Sequence, residues 1–525
     1  MALFAWAAWQ RFSLPLDPIT DPDMWGYLSP ALRKLIGAEF GHTEGRNFLY
    51  PGFLFVLLRV FGDLRAITVA QHILGLLAGA MLLIIWRRAR VFAPDPRVGR
   101  PAYDGLGLLA AAVFLLATEP TRFETQLRPE GICAFLIGLN FYFVLEFTAR
   151  CFVERRSRGV VGYGIGAVAS SILLASAKPS FALAAVFALL PVGFFFFQRG
   201  RFRQKAVLSA GAVVIAALLI LPERFLGRQD EASQTFVPAT LFVVHANLIR
   251  DQMADDLEQK AAGPYPQEWL ARIQAALGAE IAKSHTASPR HYPSLGFDPD
   301  YLMYNQSSIV AQMRREFEND VPGLCSFYRF CYGRIWRQRP VRVLQKIVRQ
   351  MEVFYTPVCP AYDRRRSWRL ADEYRYSLML LGLAPYRETL AASPPAMDFV
   401  KRTESLSRAA PVILQSRPIQ GLLLLFGSIY LPLILLAFGL VGAVLGKRER
   451  RRQLGWCALL VSFALLYNAI SCLEVALINS LEIRRYMTVQ LFPVIVAEFL
   501  ALWFVLEFFL ERRAREKSLR DSHSK

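Results

Sequence analysis

The sequence lacks the motifs that mark several widespread enzyme classes. It contains no Gly-x-x-x-x-Gly-Lys-Ser/Thr phosphate loop, no His-Glu-x-x-His zinc helix and no Gly-x-Ser-x-Gly nucleophile elbow. Its seven cysteines are an odd number and show no metal-ligand spacing. We therefore expect no nucleotide cofactor, no ATP-driven transport, and neither zinc-dependent nor serine hydrolysis.

Charged residues are also scarce, because only 20% of the chain is charged whereas 54% is hydrophobic and the mean hydropathy is +0.30. Such a chain is too apolar for a soluble enzyme. Its apolar residues fall in runs of about 17 to 25 residues, the length with which a helix crosses a bilayer. The clear runs lie near 66–86, 103–118, 131–148, 159–175, 180–197, 204–222, 420–446, 454–477 and 487–510. With residues 1–16 as a further span, the sequence predicts an all-α polytopic membrane protein of about ten transmembrane helices.

Acidic residues are outnumbered, since 42 Asp and Glu face 61 Lys and Arg and the net charge is +19. Much of the basic charge lies in short loops between apolar runs, so we expect no nucleic-acid partner. The positive-inside rule puts both termini in the cytoplasm and residues 17–47, 119–130 and 223–415 on the outer side. The sequence thus predicts a multi-pass protein of the inner, or cytoplasmic, membrane.

Composition divides the chain into three parts. Residues 1–222 are predicted to form a transmembrane module whose first outer loop covers 17–65, and residues 416–525 form C-terminal transmembrane helices with a basic cytoplasmic tail. Residues 223–415 are rich in Pro, Asp, Glu, Arg and Tyr and contain no membrane-spanning run, which predicts a mostly helical extracytoplasmic domain. Residues 48–62 are predicted to lie along the outer membrane interface.

Three of the cysteines, Cys325, Cys331 and Cys359, fall in the predicted extracytoplasmic domain. That compartment allows a disulfide. The sequence does not decide which two of them pair, if any.

Several segments occur in an order that is typical of one family. They are DPDMWGYLSPAL, GRNFLYPGFLFVLLRVFG, QLRPEGICAFL and ASAKPSF within residues 1 to 225, and LEIRRYMTVQLFPV near the end of the chain. In this order they resemble the GT-C superfamily of integral-membrane glycosyltransferases, which includes bacterial protein mannosyltransferases and aminoarabinose transferases. The resemblance implies transfer of a sugar from a polyprenyl-phosphate donor to an envelope acceptor on the outer side of the membrane. The sequence leaves open whether that acceptor is a glycan, a lipid or a protein.

The resemblance assigns the role of catalytic base to an aspartate of the first outer loop. Asp21 and Asp23 both fit, and Asp23 is favoured because it is nearer to the helix that follows. Such a carboxylate takes the proton of the acceptor nucleophile while the anomeric carbon gains positive charge. The alternative is that Asp-Pro-Asp forms only a turn and a helix cap, and the same tripeptide recurs at 298–300.

Further acidic candidates lie in the second outer loop. By the same resemblance, Glu130 or Glu124 orients the acceptor or binds a divalent cation, and Glu130 fits the family position better. Asp21, Asp23 and Glu130 are candidate ligands for Mg²⁺ or Mn²⁺, with solvated loop carboxylates as the alternative. His42, the only histidine of the first outer loop, is a candidate acceptor or metal contact, or is simply solvated.

Cations are expected to hold the leaving phosphate of the donor. Lys178 lies between two spans, and Arg484, Arg485 and Tyr486 open the last span on the predicted outer side. Arginine grips phosphate with two parallel hydrogen bonds, so these residues are the predicted donor-phosphate site. The alternatives are a lysine that snorkels to the interface and arginines that bind lipid headgroups. Weaker candidates of the same kind are Arg46, Arg122 and Arg128.

Two other function classes remain open at this stage. A transporter or flippase of lipid-linked saccharides requires ionisable groups near the middle of the membrane, whereas the candidates here cluster at its rim. A non-catalytic envelope-assembly protein is the other alternative, because the Asp-Pro-Asp motif and the central region depart from the best-studied branches of the family.

Overall fold

The structure is a computed structural model that describes residues 1–40, 46–228, 231–261, 263–287, 292–305, 307–318 and 320–523. Helices account for 79% of the protein. The predicted all-α class is therefore confirmed. His42 lies outside the described residues, so its predicted contact with acceptor or metal stays a prediction.

The first 228 residues form helices of very different lengths. They are α1 (Ala2–Phe12), α2 (Trp25–Leu35), α3 (Leu49–Phe61), α4 (Arg65–Ala89), α5 (Arg100–Leu116), α6 (Thr118–Glu124), α7 (Glu130–Thr148), α8 (Val160–Ala177), α9 (Ala182–Ala188), α10 (Leu190–Phe197) and α11 (Phe202–Arg228). Short 3₁₀ turns at Arg90–Phe92 and Pro179–Phe181 and a π turn at Ala149–Val153 adjoin them.

The rest of the chain has a central helical region and a C-terminal group of long helices. The central helices are α12 (Glu231–Val244), α13 (Ala246–Glu258), α14 (Gln267–Ala287), α15 (Pro299–Tyr304), α16 (Ile309–Glu316), α17 (Val321–Gln338), α18 (Pro340–Phe354), α19 (Leu370–Leu381), α20 (Ala384–Ala391) and α21 (Pro394–Ala409). The C-terminal helices are α22 (Arg417–Gly446), α23 (Arg448–Ile478), α24 (Arg484–Thr488) and α25 (Leu491–His523).

Eight helical segments within the described residues are long and apolar enough to cross a membrane. They are Arg65–Phe92, Glu130–Val153, Val160–Ala177, Pro179–Phe197, Phe202–Phe225, Arg417–Gly446, Arg448–Ile478 and Arg484–Lys517. The pair α5 and α6 makes a ninth if it is counted as one span, bent by 52° at extended Ala117. These segments confirm the predicted multi-pass membrane protein.

The predicted span at residues 1–16 is not confirmed. Helix α1 has 11 residues. At 1.5 Å per residue it rises about 16 Å, roughly half the thickness of the hydrocarbon layer. The described residues therefore reach at most nine spans rather than ten.

Helix α25 forms the centre of the transmembrane bundle. It packs against α5, α22 and α23, and 89% of its apolar window is buried. By contrast, only 6% of the window in Phe202–Phe225 is buried, so this helix lies at the periphery. Side chains at the start of α24 and of the adjoining α25 therefore lie near the centre of one end of the bundle.

A break in the apolar sequence around Lys178 sets the geometry of that bundle end. Pro179 disfavours a helical conformation at the residue before it, and Lys178 is extended with φ −142° and ψ 97°. The carboxylate of Glu474 accepts the Leu183 N–H at 2.8 Å and so caps the helix that follows. Lys178 is consequently held at a bend between two spans.

The central region is almost entirely helical, as predicted, with one exception. Strands β1 (Ser367–Arg369) and β2 (Val412–Leu414) pair antiparallel with Trp368 opposite Ile413. The sequence reasoning missed this pair because each strand has only three residues. All seven cysteines are free, so the possible disulfide among Cys325, Cys331 and Cys359 is not present.

Candidate functional site

The first loop of the chain is joined to the second loop through the backbone. The Ile19 N–H donates to the Thr125 carbonyl at 2.7 Å, and the Leu127 N–H donates to the Ile19 carbonyl at 2.9 Å. This short parallel bridge holds residues 17–24 beside residues 125–130. It explains how two loops that are about a hundred residues apart in the chain supply side chains to one site.

The Asp-Pro-Asp motif forms a turn, and its two carboxylates have different partners. One oxygen of Asp21 accepts the Asp23 N–H at 2.7 Å, and the other forms an ion pair with Arg128. The same tripeptide at 298–300 makes the same turn, because Asp298 accepts the Asp300 N–H at 2.9 Å. The turn interpretation therefore describes Asp21 well, although it leaves Asp23 to be explained.

Asp23 lies between two arginines. Arg46 donates from Nη2 to Asp23 Oδ1 at 2.7 Å, and Arg485 donates from Nη1 to Oδ2. Burial alone would raise the pKa of Asp23, but the charges of Arg485 and Arg46 outweigh it and hold that pKa well below its ordinary value. Asp23 is therefore an ionised carboxylate at neutral pH.

Two further elements hold Arg46 and the start of α3 near this carboxylate. The guanidinium of Arg46 lies 5.7 Å from the centre of the Tyr27 ring, within range of a cation–π contact. Asn47 donates from Nδ2 to the Ser176 carbonyl at 3.0 Å, close to the end of α8. The YPGF segment thus lies where the first loop meets the span that ends before Lys178.

Lys178, Glu130 and Tyr486 form the other side of the site. Lys178 Nζ donates to Glu130 Oε1 at 2.7 Å and lies 4.8 Å from the centre of the Tyr486 ring. The guanidinium of Arg485 lies 5.2 Å from the same ring. Since Glu130 begins α7 and Lys178 follows α8, both side chains lie at one end of the bundle.

The structure thus brings most of the predicted site residues together. We call this group the Asp23 cluster: Asp21, Asp23, Arg46, Arg128, Glu130, Lys178, Arg485 and Tyr486. Electrostatic interactions of Glu130 with Arg128 and Arg485 link its two sides. Its three carboxylates face four cations, so the cluster has an excess positive charge of one.

Arg484 does not belong to the Asp23 cluster, although the sequence reasoning treated it together with Arg485. It forms an ion pair with Asp363 and lies 3.9 Å from Glu119. Arg122 lies 3.7 Å from Glu119 and 3.4 Å from Glu373. Arg485 therefore belongs to the Asp23 cluster, whereas the adjacent Arg484 belongs to a separate group of charged residues around Asp363 and Glu119.

Glu124 is buried, and it lines a small cavity together with Glu130 of the Asp23 cluster. Its carboxylate accepts hydrogen bonds from Arg11 Nε at 2.8 Å and Nη2 at 3.0 Å, and lies 2.8 Å from His72 Nδ1. Arg11 is fully buried. Gly75 makes room for Glu124, because a Cβ atom there would lie 1.9 Å from Oε1. Glu124 is thus part of a buried ion pair, and its predicted contact with acceptor or metal stays a prediction.

The carboxylates of the site do not fit a resident divalent cation. Among the described residues, no three His, Cys, Asp or Glu side chains are grouped as metal ligands. Asp21, Asp23 and Glu130, the predicted ligands, each face an arginine or a lysine. Hard cations require several oxygen ligands that are not already neutralised.

The segment before Arg484 is held by the central region, which sequence reasoning did not predict. We call residues 479–483 the strap. Gln350 Oε1 accepts the Leu481 N–H at 2.6 Å, and the Ser294 N–H donates to Glu482 Oε1 at 3.1 Å. Lys346 Nζ donates to the Ala476 carbonyl at 2.7 Å. The signal in the sequence was the placement of Lys346 and Gln350 on the inward face of amphipathic α18.

A comparison of the chain with known protein families, with curated proteins and with solved structures gives no match. The geometry of the Asp23 cluster is therefore the basis for a functional proposal.

Proposed function

We propose that this protein is a membrane glycosyltransferase of the GT-C type. It transfers a sugar from a polyprenyl-phosphate donor to an envelope acceptor on the outer face of the cytoplasmic membrane. The observation that carries the proposal is an ionised carboxylate, Asp23, held beside Arg46, Arg485 and Lys178 at one end of a bundle of apolar helices. A base and a set of phosphate-binding cations are the two parts that this reaction requires at the membrane rim.

Asp23 and two of the cations in the cluster have separate roles in the transfer. The acceptor hydroxyl attacks the anomeric carbon and gives its proton to Asp23. A new bond forms between the acceptor oxygen and that carbon, while the bond to the phosphate oxygen breaks and the phosphate leaves with the electron pair. Lys178 and Arg485 stabilise the negative charge on the departing phosphate.

The ion pairs that Asp23 forms before any substrate binds set the order of substrate binding and proton transfer. A carboxylate whose pKa is held far below the operating pH is a weak base. The donor phosphate offers Arg46 and Arg485 a second anion, and when they turn to it the pKa of Asp23 rises towards its ordinary value. Donor binding thus precedes proton abstraction, and the acceptor is activated only when a donor is present.

Substitution of Arg485 tests the phosphate role. In Arg485→Ala we expect kcat/KM for the lipid-linked donor to fall by about 10²- to 10³-fold, because a charge-assisted contact to the transition state is lost. Arg485→Lys keeps the charge without the planar fork and is expected to recover only part of the rate. Initial rates with a panel of labelled polyprenyl-phosphate sugars provide the measurement.

The matched control is Arg408→Ala, which removes an exposed arginine whose partner is Glu404, one turn away on α21. We expect wild-type rates for this variant. Wild-type kcat/KM in Arg485→Ala would show that Arg485 does not contact the donor.

A product assay separates this proposal from transport. In proteoliposomes that contain the purified chain, a lipid-linked sugar and an envelope extract, we expect a new glycosidic product by mass spectrometry. Its formation does not require net movement of the donor between leaflets. Leaflet exchange of the lipid-linked sugar without any glycosidic product would instead make the protein a flippase.

A further inference from the structure

A small pocket lies beside Asp363, the ion-pair partner of Arg484. Its walls come from α6, from the loop before β1 and from the β1–β2 pair. The side chains that line it include Glu119, Arg122, Asp363, Arg365, Arg366 and Trp368. The consecutive residues Arg484 and Arg485 connect the two sites, because Arg484 reaches Asp363 in the pocket and Arg485 reaches Asp23 in the cluster.

Hydrogen bonds fix the walls of this pocket. Gln415 Oε1 accepts from the Thr118 N–H at 2.8 Å and from the Thr118 hydroxyl at 2.6 Å. The Gln415 N–H donates to the Arg366 carbonyl at 3.0 Å. Trp368 is buried and donates from Nε1 to Glu373 at 3.1 Å. The pocket is therefore a built feature of the fold, joined to the break between α5 and α6.

The charges around the pocket leave a surplus of one positive charge for a ligand. Three carboxylates, Glu119, Asp363 and the Arg122 partner Glu373, face the four arginines at positions 122, 365, 366 and 484. Arg365 and Arg366 are exposed, and neither guanidinium forms an ion pair within the part of the chain that the structure describes, although the Arg365 backbone N–H donates to Asp363 Oδ1 at 3.2 Å. An arginine pair at the mouth of a pocket is suited to a phosphate or carboxylate, because each guanidinium offers two parallel N–H groups.

We propose that the mouth of this pocket, where Arg365 and Arg366 are exposed, binds an anionic group, a phosphate or a carboxylate, of the acceptor. The proposal rests on the glycosyltransferase function and names the chemical class of the acceptor. An anion held by Arg365 and Arg366 places the rest of the acceptor next to Asp23, where its hydroxyl is deprotonated. The anion belongs either to a lipid headgroup or to a soluble phosphorylated or acidic saccharide.

Direct binding to the full-length chain in detergent tests the proposal. The probes are inorganic phosphate, dihexanoyl phosphatidic acid and, as a zwitterionic control, dihexanoyl phosphatidylcholine, each titrated by calorimetry. In the double variant Arg365→Ala and Arg366→Ala we expect the Kd of an anionic probe to rise at least about tenfold, since two charge-assisted contacts are lost. Any second anion site in the Asp23 cluster contributes equally to wild type and variant.

The run of three arginines at 364–366 supplies a matched control. Arg364 is exposed but does not line the pocket, so Arg364→Ala is expected to bind with the wild-type Kd. The double lysine variant at 365 and 366 keeps the charge and is expected to bind more tightly than the double alanine variant. An unchanged Kd in the double alanine variant, or an equal loss in Arg364→Ala, overturns the proposal.

The two anionic probes distinguish the sources of the anion. Pocket-dependent binding of phosphatidic acid alone indicates a lipid headgroup, and pocket-dependent binding of inorganic phosphate indicates a soluble acceptor. Both outcomes support the anion site. Because no turnover is needed, loss of the glycosyltransferase proposal in the product assay leaves this binding result intact, and the reverse also holds.

Discussion

Asp23→Asn is expected to reduce sugar transfer by about 10²- to 10⁴-fold, the range that a positioned general base contributes. The amide keeps the size of the side chain but cannot accept the proton of the acceptor hydroxyl. It also no longer attracts Arg46 and Arg485, so the donor phosphate meets less competition for them. We therefore expect the loss in kcat, whereas the KM for the donor stays unchanged or falls. Initial rates at varied donor concentration provide the measurement.

The second Asp-Pro-Asp tripeptide supplies the matched control. Asp300 occupies the same position in the same turn as Asp23, and Asp300→Asn is expected to retain wild-type transfer. Asp21→Asn preserves a side chain that supports the turn and is expected to lose less activity than Asp23→Asn. Full activity in both Asp21→Asn and Asp23→Asn would show that neither aspartate is the base.

Glu124→Ala is expected to destabilise the protein by about 3 to 5 kcal/mol, because it leaves a fully buried arginine without its counter-charge. Arg11 would keep only its bonds to backbone carbonyls, such as that of Leu115 at 2.8 Å. Thermal and denaturant unfolding in detergent measure this loss. Glu404→Ala, which breaks an exposed pair on α21, is the control and is expected to change stability little.

The same variant decides between two views of Glu124. The sequence pattern predicts a contact with acceptor or metal, whereas the structure indicates a buried ion pair. A variant with normal stability and lost transfer would restore the sequence-based prediction. Low stability, with normal specific activity in the fraction that remains folded, would make Glu124 structural.

The transmembrane segments were predictable because the bilayer imposes a length on every apolar run. Nine of the predicted segments correspond to helices of the structure, counting the bent pair α5 and α6. The further span predicted at residues 1–16 is not confirmed, because the helix there has only 11 residues. The two three-residue strands are too short for any periodicity to reveal them.

The site was only partly predictable. The resemblance to a known family singled out Asp23 and Glu130, and the alternation of spans, which brings every second loop to the same end of a bundle, predicted that they lie at the same end as Lys178 and Arg485. The partners of each residue do not follow, since pairs such as Arg11 and Glu124 are 113 positions apart in the chain. Arg484 and Arg485 diverge because neighbouring residues on a helix point about 100° apart, but the sequence does not reveal which carboxylate each of them reaches.

The strap ties the position of Arg485 to the central region. Gln350 accepts a hydrogen bond from the backbone of the strap, and Ser294 donates one to its Glu482. Arg484 and Arg485 follow the strap directly in the chain. The central region is therefore not an exchangeable module. A chimaera that replaces it also removes the hydrogen bonds that hold the strap, and with them the position of both arginines. Point changes around the strap, by contrast, leave its hydrogen bonds to the central region in place.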